Sequence, residues 1–129
     1  MAFDLDMNFI ELVEKELNAT LPTEYKKEMQ ISNGGVIFIE DEDWEIFPIK
    51  DTSSKKRISR TSSDIVSENK RFKEWANFLS DFLGIASNGM GDILIFIKDN
   101  NYKSDIYIWR HESGEIYKIA NNFSELDIE

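Results

Sequence analysis

Five carboxylates fall within six residues in the stretch "EDEDWE", where Glu40, Asp41, Glu42, Asp43 and Glu45 surround Trp44. Such a cluster suits three kinds of chemistry: calcium binding, acid–base catalysis, or the holding of a cationic partner. A calcium loop places oxygens at alternating positions, a glycine at the bend and a bidentate glutamate at its far end. Neither that glycine nor that glutamate is present. The run therefore reads either as a solvated hairpin tip or as an acidic tip facing a partner. Trp44 favours the second reading, because a large aromatic ringed by charge has the composition of an interface anchor with a polar rim. Strand alternation equally allows Trp44 to point into the core while Asp43 and Glu45 point out.

The other reactive residues are sparse. His111 is the only histidine, beside Glu112 and Ser113. A general base and its nucleophile must be positioned against each other, and neighbours on one turn are too local for that. His111 reads as a turn residue. With one histidine and no cysteine, a zinc site would need three carboxylates, and none is expected. No cysteine also means no disulfide and no thiolate chemistry. In "SNGMGDILIFIK" the glycines Gly89 and Gly91 precede an apolar strand, whereas a phosphate-binding loop follows a strand and opens a helix. This is a turn. Asp92 either caps it through nearby backbone amides or touches a partner. No catalytic residue, metal or cofactor is expected.

The elements that must position these residues follow from periodicity. Residues 7 to 18 form an amphipathic helix with Phe9, Ile10, Val13 and Leu17 on one side. Pro22 opens a second helix that points Tyr25, Met29 and Ile31 inward and stops at Gly34 and Gly35. Val36 to Ile39 and Trp44 to Phe47 make a hairpin bridged by Glu40 to Asp43, ended by Pro48. Residues 50 to 63, with Lys55, Lys56, Arg57 and Arg60, read as a mobile polar loop, a phosphorylation or anion-binding segment, or a latch against the acidic hairpin. A third helix capped by Ser62 or Ser63 carries Ile65, Val66, Asn69 and Phe72, with Trp75 and Phe78 extending its apolar side.

From Leu83 on the pattern is strands: a brief "LGIAS", then "GDILIFIK", "SDIYIWRH" and "GEIYKIA". Tyr107 and Trp109 share one strand face and Ile106 and Ile108 the other, with Tyr117 and Ile119 on the neighbouring strand. Trp109 is then either half of the core or part of an open groove. A short closing helix capped by Asn121 or Asn122 docks Phe123 and Leu126. The expected architecture is α+β, one domain over residues 1–129, with a mostly antiparallel sheet of about five to six strands and helices packed around it.

A length of 129 residues and 41% hydrophobic content support one buried core. The early Asp4 and Asp6 do not fit a secretory signal and no apolar run is long enough to span a membrane, so a cytoplasmic protein is expected. The formal charge is −10, and it is uneven: −9 over residues 1–49, +4 over 50–79 and −5 over 80–129. Nucleic-acid binding, which draws on clustered lysine and arginine, is not expected. Acidic flanks of this kind steer a cationic partner instead.

Taken in order, "ELVEKELNATLPTEYKKEMQISNGG", "DWEIFPI", "NGMGD", "YIWRHESGE" and "IANNFSEL" give a chain that resembles the SUKH superfamily, the domain of yeast cell-wall synthesis regulators of the Smi/Knr type and of many bacterial proteins. That resemblance implies a non-enzymatic, protein-binding domain. Its bacterial members resemble immunity proteins that neutralise a cognate toxin domain, frequently a basic nuclease. On this reading Glu40, Asp41, Glu42, Asp43, Trp44, Glu45, Asp92 and Trp109 are the candidate partner-binding residues. The alternative is a regulatory scaffold of the Smi/Knr type, with the basic segment as its switch. The sequence does not give the oligomeric state.

Overall fold

The computed structural model describes residues 2–128. Helix α1 (Met7–Leu17) is capped by Asp6, whose carboxylate accepts the Asn8 backbone N–H at 2.8 Å, and ends at Asn18 in the left-handed region. Helix α2 (Thr23–Ile31) starts directly after Pro22, which supplies no side-chain cap. Tyr25 and Met29 are buried, but Ile31 is 71% exposed and not inward as its sequence position suggested. It lies about 200° around the helix from Met29, at about 100° per residue.

Eight strands follow: β1 (Gly35–Ile39), β2 (Glu42–Ile46), β3 (Phe82–Ser87), β4 (Ile93–Asp99), β5 (Asn101–Tyr102), β6 (Ile106–Trp109), β7 (Ile116–Ala120) and β8 (Asp127–Ile128). Every pairing is antiparallel, in the order β7-β6-β4-β3-β2-β1-β8, with β5 paired to the end of β4. The fold is α+β, as its pattern of elements foretold. The strands beyond the expected five to six are β5 and β8, of two residues each, too short to leave a hydrophobic period.

Register assigns the two faces of the sheet. Ile37 pairs with Trp44, Ile46 with Ala86, Ala86 with Leu94, and Leu94 with Ile108, so these residues share an inner face, and all are buried. Tyr25 of α2 seals this face edge-on against Phe96 (5.3 Å between ring centroids) and Phe123 (5.1 Å). On the outer face Glu45 pairs with Ser87, Ser87 with Ile93, and Ile93 with Trp109. Part of that face is covered by α4 (Ile65–Phe72) and the turns after it. Gly84 makes the contact possible, because a Cβ there would come within 2.8 Å of the Phe72 ring and of Ile93.

Two expectations about the middle of the chain change. Residues 50 to 63 are not a mobile loop but contain α3 (Lys55–Arg60), capped by Ser54. Arg57 anchors it, bonding buried Asp51 at 2.9 Å and Asp4 at 2.7 Å, so the latch closes on these residues and not on the acidic hairpin. The cap of α4 is Asp64, whose Oδ2 accepts the Val66 and Ser67 amides, and not Ser62 or Ser63. The helix ends at Phe72, and Trp75 and Phe78 pack from the irregular segment beyond it.

Candidate functional site

The hairpin turn is two residues long, Glu40 and Asp41, both at positive φ (51° and 63°). A primed turn of this kind matches the twist of the flanking strands. It sets Phe38 opposite Asp43 and Val36 opposite Glu45. The expected four-residue bridge, Glu40 to Asp43, is therefore too long, and Glu42 and Asp43 belong to β2.

Alternation along β2 then divides the acidic run. Trp44 points inward and is 0% exposed, its indole N–H donating to the Ile39 carbonyl at 3.3 Å. Trp109 is 1% exposed and donates to the Asn77 carbonyl at 3.0 Å. Both tryptophans are core residues, out of reach of a partner. Asp43 and Glu45 point outward, and with Asp41 at the turn their carboxylates have no hydrogen-bond or ion-pair partner among the described residues. The exposed aromatic on this surface is Phe38, 43% exposed, with Asp43 opposite it on β2 and Asp127 opposite it on β8.

Glu40 and Glu42 turn to the inner side, toward Asp92. Tyr117 of β7 donates to Glu40 at 3.1 Å, and Arg110 lies 3.8 Å from the same carboxylate. In a flat sheet β7 and β2, four places apart, would stand about 19 Å from each other. The contact therefore requires the sheet to curl until β7 meets the β1–β2 turn along one rim. Asp92 is the hub of that rim: one oxygen accepts the His111 backbone N–H at 3.1 Å and its Nδ1–H at 2.8 Å. The other accepts from Arg110 at 2.8 Å and Asn88 at 3.3 Å. Arg110 goes on to bond the Tyr117 hydroxyl at 2.6 Å, and Asn88 bonds Glu42 at 2.9 Å.

Partial burial pushes the Asp92 carboxyl up, but the bonds from His111 and Arg110 outweigh it and hold it below the ordinary carboxylate range. With both oxygens engaged, Asp92 is a strut and has no free lone pair for a base. It does not cap its own turn; Asn88 does, its side-chain oxygen accepting the Met90 and Asp92 amides. Gly91 is required beside it, at φ 99° and with the His111 ring 3.0 Å from where a Cβ would stand.

Of the eight candidate residues, the structure thus gathers Glu40, Glu42 and Asp92 into the rim network, leaves Asp41, Asp43 and Glu45 facing out, and buries Trp44 and Trp109. Sequence reasoning missed Phe38 as the outward aromatic, and Arg110 and Asn88 as rim members. A two-residue turn at Glu40 and Asp41 would have fixed the register that places Phe38. Tyr117 was expected beside Tyr107 and Trp109; the turn after β6 sets Trp109 opposite Ile116, so Tyr117 pairs with Ile108, on the other face.

Among the described residues no group of three or more histidines or carboxylates is placed to hold a metal ion. No described helix is long and apolar enough to cross a membrane.

The curled antiparallel sheet, sealed inside by two N-terminal helices and crossed outside by α4, defines a class of small α+β domain. The chain belongs to the SMI1 / KNR4 family (SUKH-1), whose family model matches residues 5–126. No curated protein matches the sequence.

Proposed function

We propose that this domain is a bacterial, cytoplasmic immunity protein that binds a cognate toxin domain, of the basic nuclease kind, and blocks its active cleft stoichiometrically and without turnover. The observation that carries the reading is the outward face of the β1–β2 hairpin: three carboxylates without partners among the described residues, Asp41, Asp43 and Glu45, next to the exposed ring of Phe38. Carboxylates already paired inside a protein have little left to offer a ligand, while unpaired ones keep their field for an incoming cation. Family membership supports a protein partner, and the acidic face supports a basic one.

A regulatory scaffold of the Smi/Knr type is the second reading, supported by the same family match. Its proposed switch, the basic segment, is α3, with Arg57 bonded to Asp51 and Asp4. Co-expression with a toxin encoded by a neighbouring gene decides between them. Rescue of growth together with a stable complex in gel filtration is expected; neither rescue nor complex would overturn the immunity reading.

A further inference from the structure

A groove of about 550 Å³ runs along the outer face of the sheet between β2 and α4. Asp43 and Glu45 form one wall, Glu68, Arg71 and Trp75 the other, with Phe72 and Ile93 between them. The α4 wall of this groove already carries a cation of the chain itself. Arg71 bonds Glu68 at 2.8 Å and sets its guanidinium 5.9 Å from the Trp75 ring and 5.6 Å from Phe72. The β2 side offers carboxylates without a cation, because Asp43 and Glu45 are unpaired among the described residues. Counting charges, three carboxylates face one guanidinium.

We propose that this groove seats an arginine side chain of the partner, its guanidinium against Asp43 and Glu45 and its stem along the partly exposed apolar side chains of the lining. The proposal rests on the reading of this face as the partner-binding surface and names the chemistry it takes. Arginine fits better than lysine for a geometric reason. Asp43 and Glu45 lie on the same face two residues apart on one strand, about 7 Å at Cα. A planar guanidinium has donors on two edges and can bond both carboxylates, whereas an ammonium is a point charge that satisfies one. The methylene stem can lie on Pro48 and Trp75, the partly exposed apolar side chains of the lining, while the head stays at the carboxylates.

The three indole N–H resonances give the test. Those of Trp44 and Trp109 are bonded inside the protein and report on the fold, while Trp75 lines the groove and reports on occupancy. The probe is a short capped peptide with one central arginine, titrated into the isotope-labelled full chain, with its neutral citrulline counterpart and a lysine counterpart alongside. The Trp75 resonance, assigned with Trp75→Phe, is expected to shift with the arginine peptide, less with lysine and not with citrulline. Asp43→Asn with Glu45→Gln should weaken binding about tenfold or more with the other two indoles unmoved. No shift, an equal shift with citrulline, or undiminished binding by the double variant overturns the proposal. A toxin complex indifferent to these two carboxylates would sink the groove alone; the absence of any toxin complex would sink the immunity reading and leave the titration to decide the groove.

Discussion

The inner rim and the outer face of the hairpin carry carboxylates from one six-residue run, yet they do different things. Glu40 and Glu42, with Asp92, are bonded to Tyr117, Asn88, Arg110 and His111 and hold β7 and the β1–β2 hairpin together across the curled sheet. Asp41, Asp43 and Glu45 are bonded to nothing described and project into solvent. Composition is the same in both places. What separates them is the two-residue turn and the period of two along β2, which send alternate side chains to opposite faces. A charge run is thus a mixture of structural and available groups, and only register sorts them.

Of the residues on the two faces, Trp44 and Phe38 should differ most in what their loss costs. Trp44→Ala empties a fully buried site and should destabilise the fold by about 3 to 5 kcal/mol. Phe38→Ala, at a half-exposed position, should cost less than about 1 kcal/mol while weakening the partner complex. Chemical denaturation of both variants measures the difference, and equal losses would mean that the two faces have been confused.

The rim comes next. Asp92→Asn removes the charge that Arg110 and His111 share and should cost about 2 kcal/mol. The same carboxylate gives a pH test. Its folded pKa is depressed, so the stability it adds is present above the ordinary carboxylate range and is lost as pH falls below about 4. Asp51 behaves likewise: burial raises its carboxyl, and the bonds from Ser53 and Arg57 outweigh that and lower it. Thermal melts of Asp92→Asn and Asp51→Asn should each show a shallower loss of stability on acidification than the native chain. An unchanged slope would remove these residues from the account.

The smallest effect has the opposite sign. The Tyr25 hydroxyl is fully buried without a hydrogen-bond partner among the described residues, and burial pushes its pKa up. Tyr25→Phe should leave stability unchanged or raise it by up to about 1 kcal/mol, because an unsatisfied buried hydroxyl contributes desolvation cost without a bond. A clear loss on denaturation would reveal a partner for that oxygen.

Much of the fold was legible because it rests on local periodicity. The period of 3.6 in residues 7 to 18, the apolar run Ile93 to Ile97 and the alternation of Tyr107 and Trp109 each carry their own pattern. The site was legible only as a list of residues. Whether Trp44 faces in depends on where the turn falls, and Arg110 meets Glu40 only because the sheet curls through seventy residues of intervening chain. The order of residues 50 to 63 was hidden for a similar reason, since Arg57 is fixed by Asp4, fifty-three residues earlier.

The most direct measurement is the association rate with the proposed cognate toxin domain, at low and high salt, for the native chain, for Asp43→Lys with Glu45→Lys, and for Glu40→Gln. The account predicts that charge reversal slows association about tenfold or more at low salt and flattens its salt dependence. Glu40→Gln should leave the rate unchanged and lower the melting temperature slightly. Equal effects of the two changes, or a rate untouched by charge reversal, would contradict the division between a structural rim and a binding face.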